Sequence, residues 1–105
     1  MADEPANERR QQPRIPLDAR ATIARAEQKI AASTKDISER GLFFFSEARI
    51  EVGSDIDILL MVPEDIGLPI NGMVCCHGRI VRMAPAGEQY GMGMEIDGVE
   101  PASLL

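Results

Sequence analysis

The stretch Asp55-Ile56-Asp57-Ile58-Leu59-Leu60-Met61-Val62 limits the fold of this chain more than any other. Ile56, Ile58, Leu60 and Val62 fall at every second position, with Asp55 and Asp57 between them. Side chains alternate sides along an extended backbone, so this spacing predicts a strand with one face in a core and the other toward solvent. Gly53-Ser54 before it and Pro63 after it supply the breaks.

The same scheme recurs along the chain. Leu17 to Arg25 reads as a first strand, with Leu17, Ala19, Ala21 and Ile23 inward and Asp18, Arg20 and Thr22 outward. Ala26-Glu27-Gln28-Lys29 reads as a hairpin turn, although its helix-favouring residues leave a helical reading open. A second strand, Ile30 to Ser38, alternates imperfectly: Lys35 shares parity with Ile37, and Ile30 has the opposite parity. A bulge or a snorkelling Lys35 accounts for that. The third strand, Leu42 to Phe45, is apolar on both sides, so either both faces are covered or Phe43 and Phe45 form an exposed patch. Pro63 to Gly72 is a loop. Strand five spans Met73 to Met83, Pro85-Ala86-Gly87 turns, and strand six runs from Gln89 to Asp97 with Tyr90, Met92, Met94 and Ile96 on one face. Six short strands joined by turns predict an all-β fold, a six-stranded antiparallel barrel whose closure removes exposed edges.

Composition narrows the classes of function. A chain of 105 residues suffices for one domain with a modest core, and without Trp the aliphatics and six Met must fill it. No run of eighteen apolar residues is present, which speaks against a membrane span. The N-terminus lacks the apolar segment of a secretory signal, and Cys75 and Cys76 are adjacent and poorly placed to bridge each other. A reducing cytoplasm is the expected compartment. Residues 1–40 carry eight Lys/Arg against seven Asp/Glu, whereas residues 41–105 carry three against ten. So acidic a body is a poor surface for a nucleic-acid polymer. Cations concentrated at Arg9, Arg10, Arg14 and Arg40 favour a small anion instead.

Two short segments carry the chemistry. In Arg9-Arg10-Gln11-Gln12-Pro13-Arg14, Pro13 opposes a helix, and Gln12 and Ile15 are biased toward extended backbone by the prolines that follow them. In an extended chain Arg10 and Arg14 share a side, about 13 Å apart. Each guanidinium is a planar fork matched to phosphate or to the O6/N7 edge of guanine. In Asp36-Ile37-Ser38-Glu39-Arg40-Gly41, Asp36 and Ser38 share one side while Ile37 is free to anchor in the core. Gly41 closes the segment where a side chain would obstruct the backbone or where φ must be positive. Taken separately, these residues also suit solvated charges and ordinary turns.

Arg10-x-x-x-Arg14 followed by Asp36-x-Ser38-x-x-Gly41 resembles the two-part signature of PilZ domains, bacterial receptors for the second messenger cyclic di-GMP. The interval of one hairpin, the strand ending at Pro63, Gly78-Arg79-Ile80-Val81 and Tyr90-Gly91-Met92-Gly93-Met94 also look like that family, so the similarity spans about residues 9–97. The resemblance implies a flexible N-terminal arm over residues 1–16, a PilZ-type barrel over 17–97 and a short tail over 98–105; members of that family often end in a helix, and this chain departs from them in having room for little or none. It further implies cyclic di-GMP as ligand, with Arg10 and Arg14 on guanine and phosphate, Asp36 on the guanine N–H edge, Ser38 on a phosphate oxygen and Gly41 allowing close approach. Arg9 is a candidate for a second stacked ligand molecule, and Arg40 is open between assisting with charge and facing solvent.

The expected protein is a signalling adaptor for motility, biofilm or polysaccharide control, acting on a downstream protein as a monomer or weak homodimer. The alternative is a PilZ-fold interaction module that binds no nucleotide. His77 beside Cys75 and Cys76 invites a metal reading, but only Cys75 and His77 share a strand face. Two ligands fall short of a closed site, so this segment reads as strand filling, with no metal or cofactor expected. No nucleophile–base grouping supports catalysis, and no enzyme is expected.

Overall fold

The computed structural model describes residues 14–68 and 71–102. Seven strands follow in order: β1 (Ile15–Pro16), β2 (Arg20–Arg25), β3 (Gln28–Ile37), β4 (Gly41–Ser46), β5 (Asp55–Val62), β6 (Gly72–Ala86) and β7 (Gln89–Pro101). All pairings are antiparallel, in the order β1-β3-β2-β5-β6-β7-β4, and β3 also pairs with β4. That last pairing closes β2 to β7 into the expected six-stranded barrel. The short β1 lies outside it, end-on to β2 along the same edge of β3.

The expected strand β5 alternates as its sequence dictates. Ile56, Ile58, Leu60 and Val62 are buried, and β6 and β7 bring Val74, Cys76, Ile80, Met92 and Met94 against them. Phe44 is the largest side chain with no exposure, packed among Ile37, Leu42 and Ile23 of the same core cluster. Truncating such an aromatic to Ala typically costs about 3–5 kcal/mol.

Several boundaries differ from the expected ones. The first strand is broken at residues 17–19, where Thr34 intervenes: the Ala19 amide donates to its Oγ1 at 2.9 Å, and the Thr34 amide donates to the Ala19 carbonyl at 2.8 Å. Ile15 and Pro16, assigned to the arm, instead pair with Ile37 and Asp36. The first hairpin turns on Ala26-Glu27 alone, with Ala26 at φ 55°, while Gln28 and Lys29 already belong to β3. β7 runs on through the expected tail to Pro101, because β6 begins at Gly72 and offers partners from Val74 onward. Among the described residues there is no helix, hence none long and apolar enough to cross a membrane.

Phe43 and Phe45 are half-buried, not an exposed patch. Their rings meet edge to face, with centroids 5.6 Å apart. They lie on the outer face of β4 opposite Gly93 and Gly91 of β7, whose missing side chains make room for them. A Cβ on Gly91 would stand 3.2 Å from Phe43 Cζ. Lys35 Nζ caps the pair, 5.6 Å from the Phe43 centroid. The large exposed apolar side chains are Val52, Met61, Met73 and Val81.

Candidate functional site

The site is built on an irregularity in β3. Ala32 and Thr34 point into the barrel, so unbroken alternation would send Asp36 and Ser38 inward as well. Between Thr34 and Asp36 the register with β4 shifts by one residue: Thr34 pairs with Phe44 and Asp36 with Phe43. This bulge at Lys35 absorbs one residue and exchanges the faces. Ile37 then enters the core with no exposure, Asp36 turns to the other, half-buried side, and Ser38 beyond it is only 6% exposed. The parity conflict between Lys35 and Ile37 in the sequence is resolved by the bulge.

Beyond Ile37 the chain reverses over Ser38-Glu39-Arg40-Gly41. The Ser38 amide donates to the Gly41 carbonyl at 2.8 Å, and the Ile96 amide of β7 donates to the Arg40 carbonyl at 2.8 Å. The turn is thus held from two sides. Glu39 and Arg40 expose their side chains at its tip, and the Ser38 hydroxyl sits 3.5 Å from the Gly41 carbonyl.

Arg14 completes the described part of the site. Its Nε lies 3.4 Å from Asp36 Oδ1, with half of its side chain exposed. That ion pair lacks hydrogen-bond geometry, and among the described residues Asp36 Oδ1 is a buried oxygen with no hydrogen-bond partner. A buried acceptor without one typically costs about 1–3 kcal/mol. Gly41 has no positive φ, so its backbone conformation does not require a glycine. A Cβ there would stand 3.4 Å from Arg14 Nη1, 3.5 Å from Ser38 Oγ and 3.6 Å from the Met94 carbonyl. These are ordinary contacts, so a methyl group would fit but would fill the space between the three polar groups.

Arg14, Asp36, Ser38 and Gly41 therefore converge, as the motif requires, whereas the exposed Arg40 side chain stands at the tip of the turn. Arg9 and Arg10 lie outside the described residues. Among those residues a concavity lies on another face, lined by Thr22, Ala24, Leu59, Met61 and Met73.

Sequence reasoning missed a second cluster on the outer face of β5, β6 and β7. His77 Nδ1 is 2.6 Å from Asp57 Oδ1, and its Nε2 is 2.9 Å from Glu100 Oε2. The hydrogen bond with Asp57, then that with Glu100, raises the imidazole pKa above its ordinary value. Burial, followed by the charges of Asp57 and Glu100, raises that of the Cys75 thiol. Burial pushes the inward Cys76 up to about 11. Only the pairing of Asp57 with His77 and of Cys75 with Glu100 reveals the group, and those residues are far apart in sequence.

The family model for the PilZ domain matches residues 8–104. This chain belongs to the PilZ domain family. No curated protein matches it. Among solved structures, the PilZ-family barrel is similar to the structure of the Bacillus subtilis inhibitor of motility (MotI/DgrA), with a TM-score of 0.68 at 19% identity. The likeness covers 88% of this chain and 44% of that one, so this chain spans less than half of its neighbour's length. At that identity the likeness shows the fold.

Proposed function

We propose that this PilZ domain is a receptor for cyclic di-GMP that acts as a signalling adaptor without enzymatic activity. The observation that carries the reading is the convergence of Arg14, Asp36, Ser38 and Gly41 at one place, with a buried Asp36 oxygen that has no hydrogen-bond donor among the described residues. A guanine N–H edge is the donor that oxygen would accept. Arg14 would swing from its loose pair with Asp36 to a phosphate or to the O6/N7 edge, and Arg10 would supply the second fork. Ser38 would contact a phosphate oxygen, and Gly41 would leave room for it. Each charge-assisted bond gained offsets part of the entropy of ordering the segment before Arg14.

The neighbouring barrel belongs to a protein named as an inhibitor of motility, and motility is one setting we propose here, beside biofilm and polysaccharide control. The output would be a change in which protein can dock once ligand and arm cover this surface, in the cytoplasm. The deciding experiment is calorimetric titration of cyclic di-GMP into the purified chain, with GTP and cyclic di-AMP as controls. Saturable, selective heat supports the receptor, and a stoichiometry of two would give Arg9 its role at a stacked second molecule. Absence of both heat and thermal stabilisation would sink it, leaving a nucleotide-independent adaptor. The paired, exposed Met61 and Met73 are the observation that favours that second reading.

A further inference from the structure

We propose that Asp57, Cys75 and His77, with Glu100 positioning the imidazole, form a binding site for Zn2+ or a similar first-row transition metal on the outer face of β5–β7. This site is separate from the motif on β3 and β4 and does not depend on the nucleotide reading. Strand register assembles it. Cys75 and His77 share one side of β6, Asp57 stands opposite His77 on β5, and Glu100 stands opposite Cys75 on β7. Two ligands come from the segment that suggested a metal in the sequence, and the third comes from a neighbouring strand.

The donor atoms of Asp57, Cys75 and His77 all lie within 4.8 Å of one another. In a tetrahedral zinc shell, with bonds of about 2.0–2.3 Å, donors are roughly 3.5 Å apart. Closing that gap needs side-chain rotation of about 1 Å, and the Asp57 side chain is half exposed and free to make it. A thiolate with an imidazole and a carboxylate is a borderline-soft donor set, which suits zinc or cobalt and disfavours magnesium and calcium.

The outer shell is already present. His77 has a carboxylate on each ring nitrogen; with Asp57 as a ligand, Nδ1 takes the metal and Nε2 keeps Glu100 as its acceptor. That arrangement fixes the orientation of a metal-bound imidazole. Gly98 stands opposite His77, and even a Cβ there would meet His77 Cδ2 at an ordinary contact distance of 3.7 Å. Binding breaks the Cys75 S–H bond, forms a sulfur–metal bond and releases the proton to solvent. Any proton on the chosen imidazole nitrogen leaves in the same way. The dication then offsets two of the three negative charges on Asp57, Glu100 and the Cys75 thiolate. Three protein ligands leave a fourth position open to water.

The test uses the full chain, reduced and free of metal and affinity tag. Co2+ is titrated while the near-ultraviolet thiolate-to-cobalt charge-transfer band is followed, and Zn2+ is then added in competition. The expected result is a band saturating at one equivalent and bleached by one equivalent of Zn2+. It should vanish in Cys75→Ser, persist in Cys76→Ser and fade in His77→Gln. In Glu100→Gln the band should remain while affinity falls by about 10-fold or more, the signature of a positioning residue. No band in a chain whose circular dichroism shows an intact barrel, or a band that survives Cys75→Ser, overturns the proposal. The cluster would then be a hydrogen-bonded surface group only.

Discussion

Two places on the outside of this barrel set a carboxylate against a cationic or titratable partner, and they are finished differently. At the β3–β4 end, Asp36 faces Arg14 at 3.4 Å without a hydrogen bond, and its buried oxygen has no partner. On the β5–β7 face, His77 is clasped at 2.6 and 2.9 Å by two carboxylates. The second cluster satisfies its hydrogen bonds within the fold, and the ion proposed there would have to displace one of them. The first does not: among the described residues Asp36 Oδ1 has only its loose ion pair with Arg14, so an incoming donor would meet no hydrogen bond to break. The two proposed ligands thus face different tasks, completion at the first place and exchange at the second.

The comparison can be broken most sharply at Arg14 and Asp36. Arg14→Ala and Asp36→Ala should each weaken cyclic di-GMP binding by about 100-fold or more, since each removes charge-assisted bonds worth roughly 1.5–3 kcal/mol apiece. Titration calorimetry beside thermal melts checks this; full-strength binding by either variant ends the assignment. A smaller effect is expected from Gly41→Ala. The methyl group meets Arg14, Ser38 and the Met94 carbonyl at ordinary contact distances, so the melt should hardly move. Affinity should nonetheless drop about tenfold, because the space for the ligand is filled.

Stability gives the finer contrast. Asp36→Asn keeps the shape but removes a buried charge lacking a donor, so unfolding in urea should show no loss and a gain of up to about 1 kcal/mol. A loss above about 1 kcal/mol would mean that the Arg14 pair supports the fold after all. His77→Gln in metal-free protein gives up two satisfied bonds. With a third of the side chain exposed, solvent screening limits the cost to about 1 kcal/mol or less. It should leave cyclic di-GMP binding unchanged, which calorimetry on the same variant would establish.

Much of this was legible in the chain, for reasons that differ residue by residue. The β5 pattern of Ile56, Ile58, Leu60 and Val62 is local, and a strand buried on one face can satisfy it in only one way. The convergence of Asp36, Ser38 and Gly41 was legible because they are near neighbours on one hairpin. That Lys35 disturbs the alternation was also visible. Only the pairing with Phe43 and Phe44 shows that the disturbance is a bulge and that it aims the motif outward.

Pairing across distant strands was beyond the sequence. Asp57, His77 and Glu100 carry no mutual signal until the register between β5, β6 and β7 is known. The extension of β7 past Gly98 failed for a related reason. Gly98 sits beside a register shift and Pro101 ends its strand, where its missing N–H does no harm, and neither is settled until the partner strand β6 is known. Phe43 and Phe45 looked exposed because the glycines that accept their rings lie on β7, far along the chain.

The hydrogen bond from the Ile96 amide to the Arg40 carbonyl has a practical consequence. It turns one proton on β7 into a remote gauge of the motif loop. Amide exchange at Ile96 would report how often that loop lifts from the barrel, and slower exchange on adding cyclic di-GMP would show the loop being pinned. The same label read in the presence of zinc would reveal whether β7, which carries Ile96 and Glu100 near its C-terminal end, conveys strain between the two sites.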